Sequence, residues 1–457
     1  MNNIVPSVEQ ISEGIAILIL MIIGTSLEKL VEVENWLEST PARVRRALFL
    51  YLVGIIVYPT KANPRSITKK VGYVSHDTLT RALLKGERVL RLLPLLLIKW
   101  CLSQTGGYLI IDDVIVPKPY SRKIEGVYNE FDHTEKRRIK GMRIIMLLWS
   151  NGSLRIPVAW AIWHKEKKYL IGRTARGTAK YRHTGQCELD GRPLPYKTKN
   201  QLAMELLEEV LARGLKPKYA VFDNWYASRN NLIMITQNHF SLTLPCYSRL
   251  KSNRKVVYQG VEMTLSQLAR RFHISSFNHK HGAYIKALTV FLPDFGDIRL
   301  LLVRNDSHRE RGKTKYLFST SLFDSASRIL LSYRSRWAIE TTFRDLKNHL
   351  NLESCQARAL KAQQSHLALV ILAFVLLQLL PTLKFQRSRY SSIADKKFLL
   401  SHLSLFSLDS KSRFWVLNPF LPGATFIPLE NLDLGIVNFC IDFAYQTLLF
   451  PSCQRTA

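Results

Sequence analysis

Two stretches of this chain run apolar and then stop on acid. Tyr108-Leu109-Ile110-Ile111 leads into Asp112-Asp113, and Tyr219-Ala220-Val221-Phe222 leads into Asp223 and on to Asn224-Trp225-Tyr226. Short runs of Ile, Val, Phe and Tyr bounded by turn chemistry read as buried strands. An aspartate at the C-terminal end of such a strand leaves the core with its carboxylate at the sheet edge. Residues 142–149 and 154–160 read as two more strands, joined through the hairpin signal Ser150-Asn151-Gly152-Ser153. A helical segment over 198–212, with Thr198 as its N-cap, then precedes the Asp223 strand.

A third acid lies farther on, in SYRSRWAIETTFRDLKNHL (332–350). Read as one helix, the offsets of Tyr333, Arg336, Glu340 and Lys347 place them within about 60° of one another along about 21 Å. Ile339, Phe343, Leu346 and Leu350 form the neighbouring apolar stripe and supply the buried face. Cations in such a row suit phosphate oxygens, and the carboxylate among them is free to hold a metal. The alternative is a solvated face with a few ion pairs. The order of strand, hairpin strands, helix, strand and acid-bearing helix is that of a ribonuclease H-like core: an α/β fold with a mixed-sheet catalytic core.

Taken together, these blocks resemble the DDE transposases of bacterial insertion sequences, and within them the insertion-sequence-four-like group. That group carries Tyr-x2-Arg-x3-Glu-x6-Lys, and all four positions match here, preceded by Ile-Asp-Asp with Lys118-Pro119 shortly after and by Phe-Asp-Asn-Trp-Tyr. The resemblance covers roughly residues 60–380. It implies that Asp113, Asp223 and Glu340 form the catalytic, metal-holding triad and that Tyr333, Arg336 and Lys347 contact DNA. Asp112 is the alternative first acid, because adjacent strand residues face opposite sides. Val114 stands where the family usually has Thr after its aspartate. The resemblance further implies cleavage and strand transfer at the ends of an insertion sequence, with double-stranded DNA as partner. A homodimer assembled on DNA and a bacterial cytoplasmic, nucleoid-associated location follow from it too. A metal-dependent endonuclease without strand transfer, or a catalytically retired DNA-binding regulator, are the competing functions.

Three crowded carboxylates repel unless a cation neutralises them, so the triad calls for metal. Oxygen-only ligands suit Mg²⁺, with Mn²⁺ as a substitute. Two ions would serve an in-line displacement at phosphorus. Six cysteines show no CxxC pair and the histidines no zinc spacing.

The charge agrees with a polyanionic partner. Lys and Arg number 65 against 35 Asp and Glu, a net +30, which implies a salt-dependent affinity for nucleic acid. Residues 249–316 hold fourteen Lys and Arg against five acids, and residues 165–182 hold seven against one. The apolar runs 15–23, 47–58 and 367–377 are each shorter than the roughly 18 to 20 residues that span a bilayer, so no membrane partner is expected.

The expected organisation has five parts. Residues 1–104 form a helical N-terminal DNA-binding domain, with helix-turn-helix spacing over 66–85 through Gly72 and a cap at Ser75 or Asp77. Residues 105–248 form the first part of the core. Residues 249–325 are a β-rich insertion, expected as a separate lobe. Residues 326–381 complete the core with the Glu340 helix, and 382–457 are a tail without an assigned role.

Overall fold

The computed structural model describes residues 41–57, 63–71, 74–104, 106–132, 136–175, 177–189, 191–236, 244–272, 277–279, 281–293, 295–305, 314–379, 383–385, 388–390, 392–397, 406–408, 414–417 and 426–428. They fall into two compact units, divided after Leu93 and again after Phe343. The apolar run 15–23 and the Gly72 turn lie outside the described residues.

The first unit is helical. It contains α1 (Ala42–Val57), α2 (Pro64–Val71) and α3 (His76–Leu90). Ser75 caps α3, its hydroxyl accepting from the Thr78 amide at 3.2 Å, and Asp77 sits in the first turn where it complements the helix dipole. Leu79, Ala82, Leu83, Gly86 and Leu90 form the buried stripe of α3 at helical period. Gly86 permits close approach of α1, since a Cβ there would meet Leu48 Cδ1 at 2.7 Å.

The second unit begins within α4 (Leu93–Leu102) and holds a long sheet. Its first strands are β1 (Tyr108–Pro117), β2 (Tyr128–Asp132), β3 (Arg137–Ser150) and β4 (Arg155–Trp163). The β3–β4 turn forms as its sequence dictates: Asn151 Oδ1 accepts from the amides of Ser153 and Leu154, and Gly152 takes φ +97°. Two small hairpins follow, β5 (Lys168–Arg173) with β6 (Ala179–His183) and β7 (Gln186–Leu189) with β8 (Arg192–Pro195). Then comes α5 (Lys199–Ala212), closed by a complete capping box between Thr198 and Gln201. β9 (Ala220–Phe222), α6 (Arg229–Thr236) and β10 (Cys246–Leu250) complete the parallel centre, in which β9 pairs with both β1 and β10.

Strands do form over 249–325, but not as a separate lobe. β11 (Lys255–Tyr258), β12 (Val261–Thr264), α7 (Leu265–Arg270), β13 (Phe277–Asn278), β14 (Ala283–Leu292), β15 (Gly296–Asn305) and β16 (Thr314–Ser319) follow in turn. β16 pairs antiparallel with β10, so among the described residues twelve strands join one mixed sheet, ordered β12-β11-β14-β15-β16-β10-β9-β1-β3-β2 with β4 beside β3 and β13 beside β14. The physical reason is the open edge of β10: a buried strand needs partners on both sides for its amides and carbonyls, and β16 supplies the second.

Two further helices, α8 (Ala326–Arg334) and α9 (Trp337–Asn348), follow the sheet. α8 packs on β9, β10 and β16, whereas α5 packs on β3 and β4. The chain then returns to the helical unit as α10 (Leu360–Leu379), which packs against α3 and α1. α10 is long and apolar enough to cross a membrane, yet 83% of its most apolar 18-residue window is buried within the protein. It is apolar on all sides because it is surrounded. Its polar groups are satisfied locally: Ser365 donates to the Leu83 carbonyl at 2.6 Å, and His366 contacts the Tyr51 hydroxyl at 3.0 Å and the Asn351 carbonyl at 3.1 Å.

Candidate active site

The acids gather where β9 ends but at the middle of β1. That strand does not stop at its aspartates as expected, because its pairing with β3 carries it on to Pro117. The strand register decides which of the acids face each other. The β1–β9 ladder pairs Leu109 with Ala220, Ile110 with Val221 and Ile111 with Phe222. One step on, Asp112 falls beside Asp223 and shares its face of the sheet, while Asp113 points the other way. The same step in the β9–β10 ladder sets Arg249 beside Asp223, and their side chains lie 3.7 Å apart. At the other end of the strands Tyr108 and Tyr219 stack at 4.9 Å, and the Tyr219 hydroxyl reaches Ser335 Oγ at 3.3 Å. The face carrying Asp112 and Asp223 is therefore the one that the junction of α8 and α9 covers.

That junction differs from the expected single helix. Tyr333 belongs to α8, Glu340 to α9, and Ser335 and Arg336 form a turn between them. The chain tightens there onto three-residue bonds, Arg336 N to Tyr333 O, Ala338 N to Ser335 O and Ile339 N to Arg336 O. The Ser335 hydroxyl donates to the Ser332 carbonyl at 2.6 Å, a local side-chain bond of the kind that competes with regular helix. Tyr333, Arg336 and Glu340 still come together. The guanidinium of Arg336 lies 3.1 Å from Asp112, pairs with Glu340, and sits 5.9 Å from the Tyr333 ring centroid. Its Nε is buried without a hydrogen-bond partner. Lys347, at the far end of α9, belongs to the helical unit, where its ammonium lies 3.9 Å from Glu353.

Charge on this face is unbalanced. Three carboxylates, Asp112, Asp223 and Glu340, meet two guanidiniums, Arg336 and Arg249. Burial, followed by repulsion from the adjoining Asp113, pushes the Asp112 carboxyl up to about 7, although Arg336 pulls the other way. Among the described residues no three His, Cys, Asp or Glu side chains are set to hold a metal as they stand. Here the carboxylates of Asp112 and Glu340 are drawn onto Arg336 instead.

Asp113 occupies a second cluster on the opposite face. It accepts from the Tyr226 hydroxyl at 2.8 Å and from Lys199 at 3.1 Å, and it pairs with Arg143, which also holds Glu130 at 2.7 Å. Burial works to raise its carboxyl, but Lys199, Arg143 and the Tyr226 hydroxyl outweigh it, and the pKa lies below the usual carboxylate value. The structure thus brings Asp112, not Asp113, to Arg336, Glu340 and Asp223. Lys199, Arg143, Tyr226 and Arg249 are contacts that the sequence reading missed. A signal for the first acid was present: Tyr-Leu-Ile-Ile-Asp and Tyr-Ala-Val-Phe-Asp align residue for residue, with Asp112 against Asp223.

Two family models match the chain. The family model described as DDE superfamily endonuclease matches residues 37–271, just over half of the chain. The model described as Transposase DDE domain matches residues 196–376. The first spans both aspartate strands and the second spans Asp223 and Glu340. No curated protein matches the chain.

Proposed function

This chain belongs to the DDE superfamily of endonucleases, and from that premise we propose that it is a transposase whose three acids are Asp112, Asp223 and Glu340. A transposase-type activity on DNA follows from the two domain matches. The proposal adds that the protein cleaves the ends of an insertion sequence and joins them to a target. One observation carries the choice of acids: Asp112 and Asp223 share a face and a register level, and Arg336 ties Asp112 to Glu340 across it. The Tyr-Arg-Glu-Lys spacing supports the insertion-sequence-four-like group.

Domains of this class generally use divalent metal ions. The donor set here fits such an ion. It is all carboxylate oxygen, suited to Mg²⁺ or Mn²⁺, and its three acids meet only two guanidiniums. Asp112, Asp223 and Glu340 would hold the metal, with Arg336 yielding its carboxylate contacts. A bound pair of ions supplies activation of the attacking oxygen and stabilisation of the leaving one. The guanidiniums of Arg336 and Arg249, once released from carboxylates, are placed to take phosphate oxygens. The Tyr333 ring backs Arg336 and limits where its guanidinium can swing. The Asp113 cluster braces the middle of β1 from its other face, at the residue next to Asp112.

The test uses the full-length protein and a plasmid carrying the DNA that flanks the gene on both sides, with Mg²⁺ or Mn²⁺. Products in which the cut ends are joined to new DNA support the transposase. Nicks and breaks without any joining favour the endonuclease reading. No metal-dependent cleavage at all overturns both.

A further inference from the structure

The excursion between β4 and α5 leaves and rejoins the sheet unit at one place. It departs after Trp163, which pairs in the ladder with Arg143, the arginine that holds Asp113. It returns through Lys197 to Lys199, whose ammonium is 3.1 Å from Asp113. The Trp163 indole donates to the Lys197 carbonyl at 3.1 Å and closes the neck. Arg143 in turn is level with Ile115, two residues past Asp113. The neck therefore stands at the height of the acids along the strands, two strands or about 10 Å from β1.

From this neck rises the β5–β6 ribbon. Glu166 anchors its base, accepting from His183 at 2.7 Å and from the Gly185 amide at 3.1 Å. Every residue of β5 is exposed, and in β6 all but Ala179. Tyr169, Leu170, Ile171 and Tyr181 are 51–63% exposed on a hairpin with no core of its own. Two strands alone are marginal in water, so folding gives no reason for such residues there. The charge is one-sided. Residues 165–183 carry seven Lys and Arg, and their single acid, Glu166, is the one at the base. The register puts Lys180 and Arg182 with Tyr169 on one face, and Lys168 and Arg173 with Leu170 and Tyr181 on the other.

We propose that the β5–β6 ribbon is a DNA-binding arm that grips the duplex beside the acid-bearing strands. The inference deepens the transposase reading and rests on it for the identity of the polyanion. A two-stranded ribbon fits the major groove, and at six residues it spans about 20 Å. Cations on both faces can then meet phosphates on both groove walls while the tyrosines pack on sugars and bases. A second copy of the chain is the poorer occupant, because two surfaces this basic repel each other.

The test measures binding of a fluorescein-labelled mixed-sequence duplex to the full-length protein over a range of NaCl concentrations. Replacing Lys168, Arg173, Lys180 and Arg182 together with Ala should weaken binding at least about tenfold at low salt and flatten the log–log salt slope by about three units. Replacing Tyr169, Leu170, Ile171 and Tyr181 with Ser should weaken binding with the slope kept. Both variants alter only exposed side chains, and a third, in which 168–183 becomes a short Gly-Ser turn, should lose as much affinity as the charge variant. Unchanged affinity and slope in the charge variant overturn the arm. So does a changed oligomeric state in the Ser variant with duplex binding intact, which marks a protein interface. A wild type that binds through the ribbon but never cleaves DNA with metal overturns the transposase reading and leaves the arm standing.

Discussion

The two faces of one strand, β1, carry opposite chemistry at its middle. On one side of β1, Asp112 joins Asp223 and Glu340, three carboxylates against the guanidiniums of Arg336 and Arg249. On the other, Asp113 is met by Lys199, Arg143 and the Tyr226 hydroxyl, and Glu130 takes the remaining side of Arg143. The first side is short of positive charge and partly open, with the Asp223 and Glu340 side chains about one-third exposed at 32% and 33%. The second is balanced and closed, with Asp113 at 8%. Adjacent residues of identical type thus differ in what they can do. An unbalanced acid has capacity left for a metal or a substrate, while a fully partnered one has spent its capacity on structure.

Exchanging the two residues one at a time makes the largest expected difference. Asp112→Asn should remove metal-dependent DNA cleavage by about a thousandfold or more, the several kcal/mol that a metal ligand contributes to the transition state, with the fold and duplex binding intact. Asp113→Asn should keep cleavage in whatever fraction remains folded, but lower stability by about 3–5 kcal/mol, because Arg143 and Lys199 lose the charge that justifies their burial. Gel-based cleavage and urea unfolding on both variants check this. The reverse pattern, Asp113→Asn stable and dead with Asp112→Asn active, would return the first acid to Asp113.

A smaller effect separates the two carboxyls by pH. Burial and the neighbouring Asp113 raise Asp112 to about 7, so between about pH 4 and that value the folded chain holds a proton that the unfolded chain releases. Stability therefore falls as pH rises through this window. Asp113 is lowered, so its contribution is present above the ordinary carboxylate value and is lost as pH falls through the folded pKa. In EDTA, Asp112→Asn should abolish the loss between about pH 4 and about 7 and exceed wild type near pH 8 by at most about 4 kcal/mol. Asp113→Asn should keep the part of that loss that burial causes and shed the part that the Asp113 charge adds. Urea midpoints at pH 5 and pH 8 decide the matter, and an unchanged pH slope in Asp112→Asn breaks the contrast.

Much of this contrast lay in the residues before any coordinates. The aspartate strands, the Asn151-Gly152 hairpin and the Thr198 cap are local signals, set by burial pattern and turn chemistry within a few residues. The parity of Asp112 against Asp113 is not local. It depends on the register between β1 and β9, more than a hundred positions apart, and only the repeated Tyr at the start of both runs hints at it. The break at Ser335 and Arg336 was hidden because Tyr333, Arg336 and Glu340 keep helical spacing across it, so periodicity reads through the turn. Strands over 249–325 were legible one by one, but their joining to β10 through β16 is a long-range pairing that no window of sequence carries. The Asp113 partners come from β3, α5 and the segment after β9, three separate places, and none stands out by type.

The smallest test addresses whether the closed side is purely structural. Tyr226 is 1% exposed, and its hydroxyl donates to Asp113 at 2.8 Å. Burial, then the Asp113 charge, holds the phenol proton well above its ordinary pKa, so it stays a donor across the working range. Tyr226→Phe keeps the ring and removes that one bond. The Asp113 carboxylate retains Lys199 and Arg143, so the cost should sit near the low end for a bond to a charged group, about 1.5 kcal/mol. The Asp113 carboxyl should also rise towards its ordinary value, moving the acid side of the stability profile to higher pH. Cleavage by the folded variant should equal that of wild type, since nothing on the Asp112 side has changed. A fall in cleavage of tenfold or more at unchanged stability would mean that the Asp113 side takes part in the chemistry, and the division between the two faces of β1 would fail.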